Sequence, residues 1–125
     1  MERQSSPFVR IRYLDREAVR EALAEYVGEL SAGHPELERV VLFGSFARGD
    51  EVPSSDVDLL IVLDRSELPF LDRIPVFMPS RFPVGVDVFP YTREELESML
   101  EEGNGFVASA LAEGAELYRR PHSRE

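Results

Sequence analysis

The chain has no cysteine and no lysine, and only two histidines, His34 and His122, in its 125 residues. Without cysteine, disulfides and thiolate metal sites are excluded. Two histidines this far apart do not make a zinc site. An ion bound here is therefore held by oxygen, which favours Mg²⁺ or Mn²⁺. Without lysine there is no P-loop lysine and no Schiff-base chemistry. All 14 basic residues are arginine, and against 24 Asp and Glu they leave a net charge of −10. Such a chain is not expected to bind nucleic acid directly through its charge. No run approaches the length of a membrane span, and the first seven residues lack the apolar segment of a leader, so a cytoplasmic protein with no membrane attachment is expected. The length suits one domain, with a core over about 14–118 and loose ends at 1–7 and 119–125.

What the chain does have is concentrated between Val40 and Leu63. The apolar run Val40–Phe43 reads as a buried strand that stops at Gly44-Ser45. Phe46-Ala47-Arg48 reads as a short helical turn closed by Gly49, the residue best suited to a left-handed helix end. After a polar loop, Asp50 to Ser55, Asp56 and Asp58 open a second apolar strand. Residues two apart on a strand share a face, so the two carboxylates project together. Such a pair beside a buried run is costly unless a cation sits between its members. An EF-hand does not explain the pair, because the ligand series stops at Leu59-Leu60. Across from it, the backbone N–H groups of the Gly-Ser turn can face an anion. Carboxylates, a divalent metal and a phosphate cradle point to nucleotide chemistry.

On these residues the chain resembles a known family. Gly44-Ser45, ten intervening residues and Asp56-Val57-Asp58 are similar to the GS-x10-D-x-D signature of the DNA polymerase β-like nucleotidyltransferase superfamily, and Ala47-Arg48-Gly49 with Ser55-Asp56 to its minimal nucleotidyltransferase (MNT) branch. The resemblance implies an α+β fold, a mixed β-sheet with helices packed on it. It implies a third carboxylate from a later strand, and Asp87 in Val84–Phe89 is the matching position; Gly85, on the same face, leaves room for a ligand. Asp56, Asp58 and Asp87 would then be catalytic and hold Mg²⁺, two ions in the two-metal picture, with Mn²⁺ as a substitute. Gly44, Ser45 and the N-terminal end of the helical turn would cradle the phosphates of ATP. Arg48 would either reach a phosphate or pair with Asp50 or Glu51. Short proteins of this branch commonly act as antitoxins, transferring AMP to a tyrosine of a HEPN-domain toxin. The other reading is a non-catalytic protein of the same fold that acts by occlusion. An aminoglycoside-type enzyme would need an acceptor domain, for which the residues after Asp87 are too few. The resemblance leaves an oligomer possible.

The rest of the chain reads as scaffold. Phe8–Tyr13 alternates as a short edge strand would. Asp15 caps a helix in which Leu14, Ala18, Ala22, Tyr26 and Leu30 recur, flanked by Val19, Leu23 and Val27, and which ends at Gly33 and Pro35. Four prolines, Pro69, Pro75, Pro79 and Pro83, allow only a short crossover helix, over 66–73. Phe70, Leu71, Phe77, Met78 and Phe82 are expected to fold onto the core from irregular backbone, the other reading being an exposed lip that binds a partner or a base. A third strand covers 84–89, with Pro90 after it. Thr92 and Glu95 form a capping box for a helix with Leu96, Met99 and Leu100 inward. Asn104 caps another with Phe106, Val107, Ala110 and Leu111 inward, ended by Gly114. A last strand covers 115–118.

Overall fold

Two of the helix starts expected from short polar side chains form as expected. The Asp15 carboxylate accepts from Ala18 N–H, opening α1 (Arg16–Gly33). Thr92 and Glu95 close a reciprocal capping box at the start of α4 (Arg93–Glu101). The structure, a computed structural model, describes residues 15–121. The expected strand at 8–13 and the loose ends at 1–7 and 122–125 lie outside the described residues.

Between these helices run β1 (Leu37–Phe43), the single-turn α2 (Ser45–Arg48), β2 (Val57–Leu63), α3 (Phe70–Phe77) and β3 (Val86–Thr92). After α4 come α5 (Gly105–Glu113) and β4 (Ala115–Arg119). The four strands make one mixed sheet in the order β3-β2-β1-β4. β1 is antiparallel to β2 and β4, and β2 is parallel to β3. This is the expected α+β arrangement, and helices cover both faces. Alternation along β2 sends Leu59, Ile61 and Leu63 into one core, shared with Val19, Leu23, Tyr26 and Leu30 of α1. Leu60 and Val62 face the opposite core with Leu96 of α4 and Val107 and Ala110 of α5. β2 is buried on both sides, so its near-continuous apolar run is what a central strand needs.

Tyr26 is the polar exception on the buried stripe of α1. Its hydroxyl donates to the Phe77 carbonyl at 2.6 Å, and burial raises the phenol's pKa well above its usual value. The bond ties α1 to the end of α3. Tyr26→Phe leaves that carbonyl unpaired and is expected to cost about 1–2 kcal/mol in chemical denaturation, with the slope unchanged.

Several expectations are corrected around the crossover. The helix covers Phe70–Phe77, not 66–73, and carries Pro75 inside it. In so short a helix a proline there removes a single intrahelical bond, and α3 is fixed by tertiary contacts. Phe70, Leu71 and Phe77 are thus helical. Phe77 is buried, Phe82 packs on the core and Phe70 stacks on Tyr91 with ring centroids 4.8 Å apart. Leu71 is 74% exposed, and Met78 is exposed too. The third strand starts at Val86 and continues through Pro90. β3 is an edge strand, where a missing N–H breaks no ladder bond if it faces outward. Leu100 and Phe106 are more exposed than the inward pattern implies. The chain end holds further than expected: Arg119 closes β4, and Arg120 donates to the Pro35 carbonyl and Asp64.

Nothing in the sequence marks Arg73 as more than a residue of the crossover helix. It is 3% exposed, with Nε donating to the Leu68 carbonyl at 2.8 Å and Nη1 to the Pro90 carbonyl at 3.0 Å. Its guanidinium also grips Glu95 through two bonds of 2.7 and 2.9 Å. One buried cation thereby joins α3, β3 and the capping box of α4.

Candidate active site

The register of the sheet brings the acidic residues together. Asp58 lies opposite Phe43 on β1 and opposite Asp87 on β3. Directly paired residues point to the same face, here the face that α5 covers. Asp56 precedes β2, where the Val57 N–H donates to the Gly85 carbonyl at 2.8 Å. All three aspartates line one open cleft of about 540 Å³ together with Gly44, Ser45 and Arg48. The six residues singled out in the sequence thus converge on one place.

Two glycines make that convergence sterically possible. A Cβ on Gly44 would stand 2.3 Å from Asp58 Oδ2, and one on Gly85 would stand 2.3 Å from Asp56 Oδ1. Gly44 also has a φ of 81°, which a side chain rarely tolerates. Gly85 therefore does not leave its space to a ligand, as the sequence suggested: Asp56 uses it. Each glycine acts as the floor for one carboxylate.

The electrostatics are those of an anionic cleft. Burial, then the charges of Asp87 and Asp56, hold the Asp58 pKa above the ordinary aspartate value; Arg48 opposes this only in part, and Glu113 adds to it. Among the described residues, no three His, Asp or Glu side chains are gathered into a ready metal cage. The donor set itself, hard carboxylate oxygens from two adjacent strands facing one cleft, suits a divalent cation such as Mg²⁺ or Mn²⁺.

The cleft also contains residues that sequence reasoning missed. Phe106, Ser109 and Glu113 of α5 form its far wall. Phe106 packs on Phe43 and Phe89, with centroids 5.6 and 5.1 Å away. Glu113 Oε2 accepts from the Gly44 N–H at 2.9 Å, and Arg48 Nη1 lies 3.3 Å from Glu113 Oε1. Arg48 also donates to Asp50 at 3.1 Å, and these two acidic partners raise its pKa. Of the pairings expected for Arg48, the one with Asp50 forms. Glu51 binds Arg16 instead. The available signal was a serine and a glutamate on the same helical stripe as Phe106 and Ala110 in an otherwise apolar α5.

Comparison with known proteins shows the family. The family model of the nucleotidyltransferase domain matches residues 20–113. Two curated relatives from Methanocaldococcus jannaschii, each named "putative protein adenylyltransferase", are 56% identical over 54 residues and 43% identical over 44 residues. These matches cover 42% and 34% of this chain, and 52% and 44% of the relatives, so the chain spans about half the length of the curated relatives it matches. A solved structure described as a "putative nucleotidyltransferase" from Sulfolobus solfataricus superimposes with a TM-score of 0.58 at 22% identity, over 98% of this chain and 96% of that one. At that identity the likeness speaks for the fold.

Proposed function

Because the chain belongs to the nucleotidyltransferase domain family, we propose that it transfers a nucleoside monophosphate, AMP from ATP, to a hydroxyl group on a protein. The observation that carries this reading is the single cleft in which Asp56, Asp58 and Asp87 face the Gly44-Ser45 turn and Arg48. In it the turn and Arg48 bind and orient the phosphates. The Ala47 and Arg48 N–H groups go to the Gly44 carbonyl, which leaves those of Ser45 and Phe46 as donors for the same oxygens. A divalent cation held by the three aspartates would neutralise the triphosphate and polarise the α-phosphorus. Asp87, the member of the set on the outer strand β3, takes the proton from the attacking hydroxyl. The new bond joins that oxygen to the α-phosphorus, and the bond to the β-phosphate oxygen breaks to release pyrophosphate.

The acceptor in this reading is a tyrosine of a HEPN-type partner, with the chain acting as its antitoxin. The MNT resemblance supports this, as does the word "protein" in the names of the two relatives. A net charge of −10 suits a basic, RNA-cleaving partner. Incubated with such a partner, Mg²⁺ and ATP, the protein is expected to add one AMP mass to the partner. Asp87→Asn should abolish the added mass while the complex still forms. Silencing of the partner with no mass shift would instead establish occlusion.

Gly85→Ala tests the floor under Asp56 separately. The new methyl meets the far end of a flexible side chain, so the fold should lose less than about 0.5 kcal/mol. Transfer activity should nevertheless drop about tenfold or more, because a displacement of roughly 1 Å is enough to spoil the alignment. Unchanged activity would mean that Asp56 does not work from the position it holds here.

A further inference from the structure

Glu113 sits on the donors that a substrate phosphate would use. Its carboxylate takes the Gly44 N–H at 2.9 Å and faces Arg48 Nη1 at 3.3 and 3.4 Å. Its surroundings otherwise disfavour a negative charge. It is the last residue of α5, at the negative end of the helix dipole. It also shares the cleft with three aspartates, while Arg48 is the one cation lining that cleft among the described residues. The side chain is 26% exposed and has a route to solvent. A fourth carboxylate in so negative a place is held there by the turn and by Arg48.

We propose that Glu113 is a tethered occupant of the phosphate seat, exchanged for a phosphate oxygen when the nucleoside triphosphate binds. The inference rests on the nucleotide-transfer reading above and deepens it. A carboxylate fixed to a neighbouring helix competes at an effective concentration on the order of millimolar or higher. The apparent affinity of any anion is then reduced to the fraction of molecules whose seat is open. Arg48 keeps an anionic partner throughout the exchange, because Asp50 holds its Nε from the other side at 3.1 Å. The device also sets specificity. A lone phosphate, with one small anionic group to offer, does not displace the tethered carboxylate. A triphosphate with Mg²⁺ does, since it gains contacts at the aspartates as well.

Calorimetric titration of wild type, Glu113→Gln and Glu113→Ala with ATP in the presence of Mg²⁺, and separately with inorganic phosphate, tests this. Both variants should bind the Mg²⁺–triphosphate about tenfold tighter than wild type. Glu113→Ala should also bind inorganic phosphate, and wild type should not. If Glu113 only braces the turn, Glu113→Ala binds more weakly and Glu113→Gln restores wild-type affinity, because an amide oxygen still accepts from Gly44; that result overturns the proposal. So does equal affinity in all three proteins. Thermal melts of the ligand-free variants verify folding, and the near-isosteric Gln variant carries the test alone if Ala does not fold. If wild type binds triphosphate and neither variant binds it more tightly, the tethered-occupant inference alone fails. If none of the three binds it, the nucleotide-transfer reading fails as well.

Discussion

Asp58→Asn is expected to lower the kcat/KM of nucleotidyl transfer by roughly 10³-fold, or about 4 kcal/mol of transition-state stabilisation. Asp58 is the residue between the others, paired across the sheet with both Phe43 and Asp87 and resting on Gly44. The same substitution should leave the ligand-free fold no less stable at neutral pH. The Asp58 pKa is raised in the folded protein, by burial and then by Asp87 and Asp56. A raised carboxylate binds its proton more readily folded than unfolded, so its charge destabilises the fold increasingly as pH climbs from the unfolded value through the folded one. Asn removes that penalty, and the difference from wild type should vanish below about pH 3.9. ATP with Mg²⁺, at a hundredfold excess over its dissociation constant, should stabilise wild type by about 2.7 kcal/mol. Asp58→Asn should lose most of that gain. A variant that is less stable without ligand, yet equally stabilised by it, would show that Asp58 serves the fold and not the ligand.

The largest loss of stability is expected from Glu95→Ala. That change removes both bonds to the guanidinium of Arg73, strands a cation that is 3% exposed, and opens the capping box at Thr92. Breaking one side of a fully buried pair costs about 3–5 kcal/mol. The Glu95 side chain is 42% exposed and partly screened by water, so about 2–3 kcal/mol is the appropriate figure here. A melting temperature lower by about 10–20 °C should follow. Glu95→Gln separates the two effects, since its amide oxygen keeps the cap and loses the charge. The hydrogen bonds from Arg73 lower the Glu95 pKa in the folded protein. Its contribution is therefore complete above the unfolded value near 4.3 and is lost as pH falls through the lower folded value. The stability gap between wild type and Glu95→Gln should close over that acid range. A gap that stays constant down to pH 2 would mean that the pair is not what holds α3 to α4.

The parts of the site that were legible in the sequence are those written in short-range chemistry. Gly44-Ser45 and Asp56-x-Asp58 sit at the ends of strands whose apolar runs announce them, and Asp15, Thr92 and Asn104 mark helix starts through bonds made within three residues. Asp87 was legible through resemblance and through being an anion in an apolar strand. What was not legible depends on register. Gly85 lies under Asp56, not beside its own neighbour Asp87, because β2 enters the sheet one hydrogen bond away from it. Glu113 meets Gly44 only because α5 returns over the same face of the sheet as Asp58. Nothing near Arg73 in the sequence sets it apart from a surface arginine; the nearby Leu68 carbonyl and two distant acceptors, the Pro90 carbonyl and Glu95, enclose it. The prolines, taken one at a time, argued for breaks, whereas Pro75 sits in a helix whose tertiary contacts outweigh one lost bond and Pro90 in an outer strand where it breaks no ladder bond.

Pro90 has one more effect. The outer margin of a sheet is a row of donors and acceptors that invites another chain to extend it, and β3 forms that margin on the side nearer Asp87. At Pro90 the donor does not exist, and the acceptor is already taken by Arg73. The margin is blunted there, which protects it from edge-to-edge aggregation. Among the described residues, the margin without such a block is β4, two strands away from the strand that carries Asp58. Under the proposed transfer, a hydroxyl is best presented to the carboxylates by side chains and loops, with the sheet left unextended at Pro90.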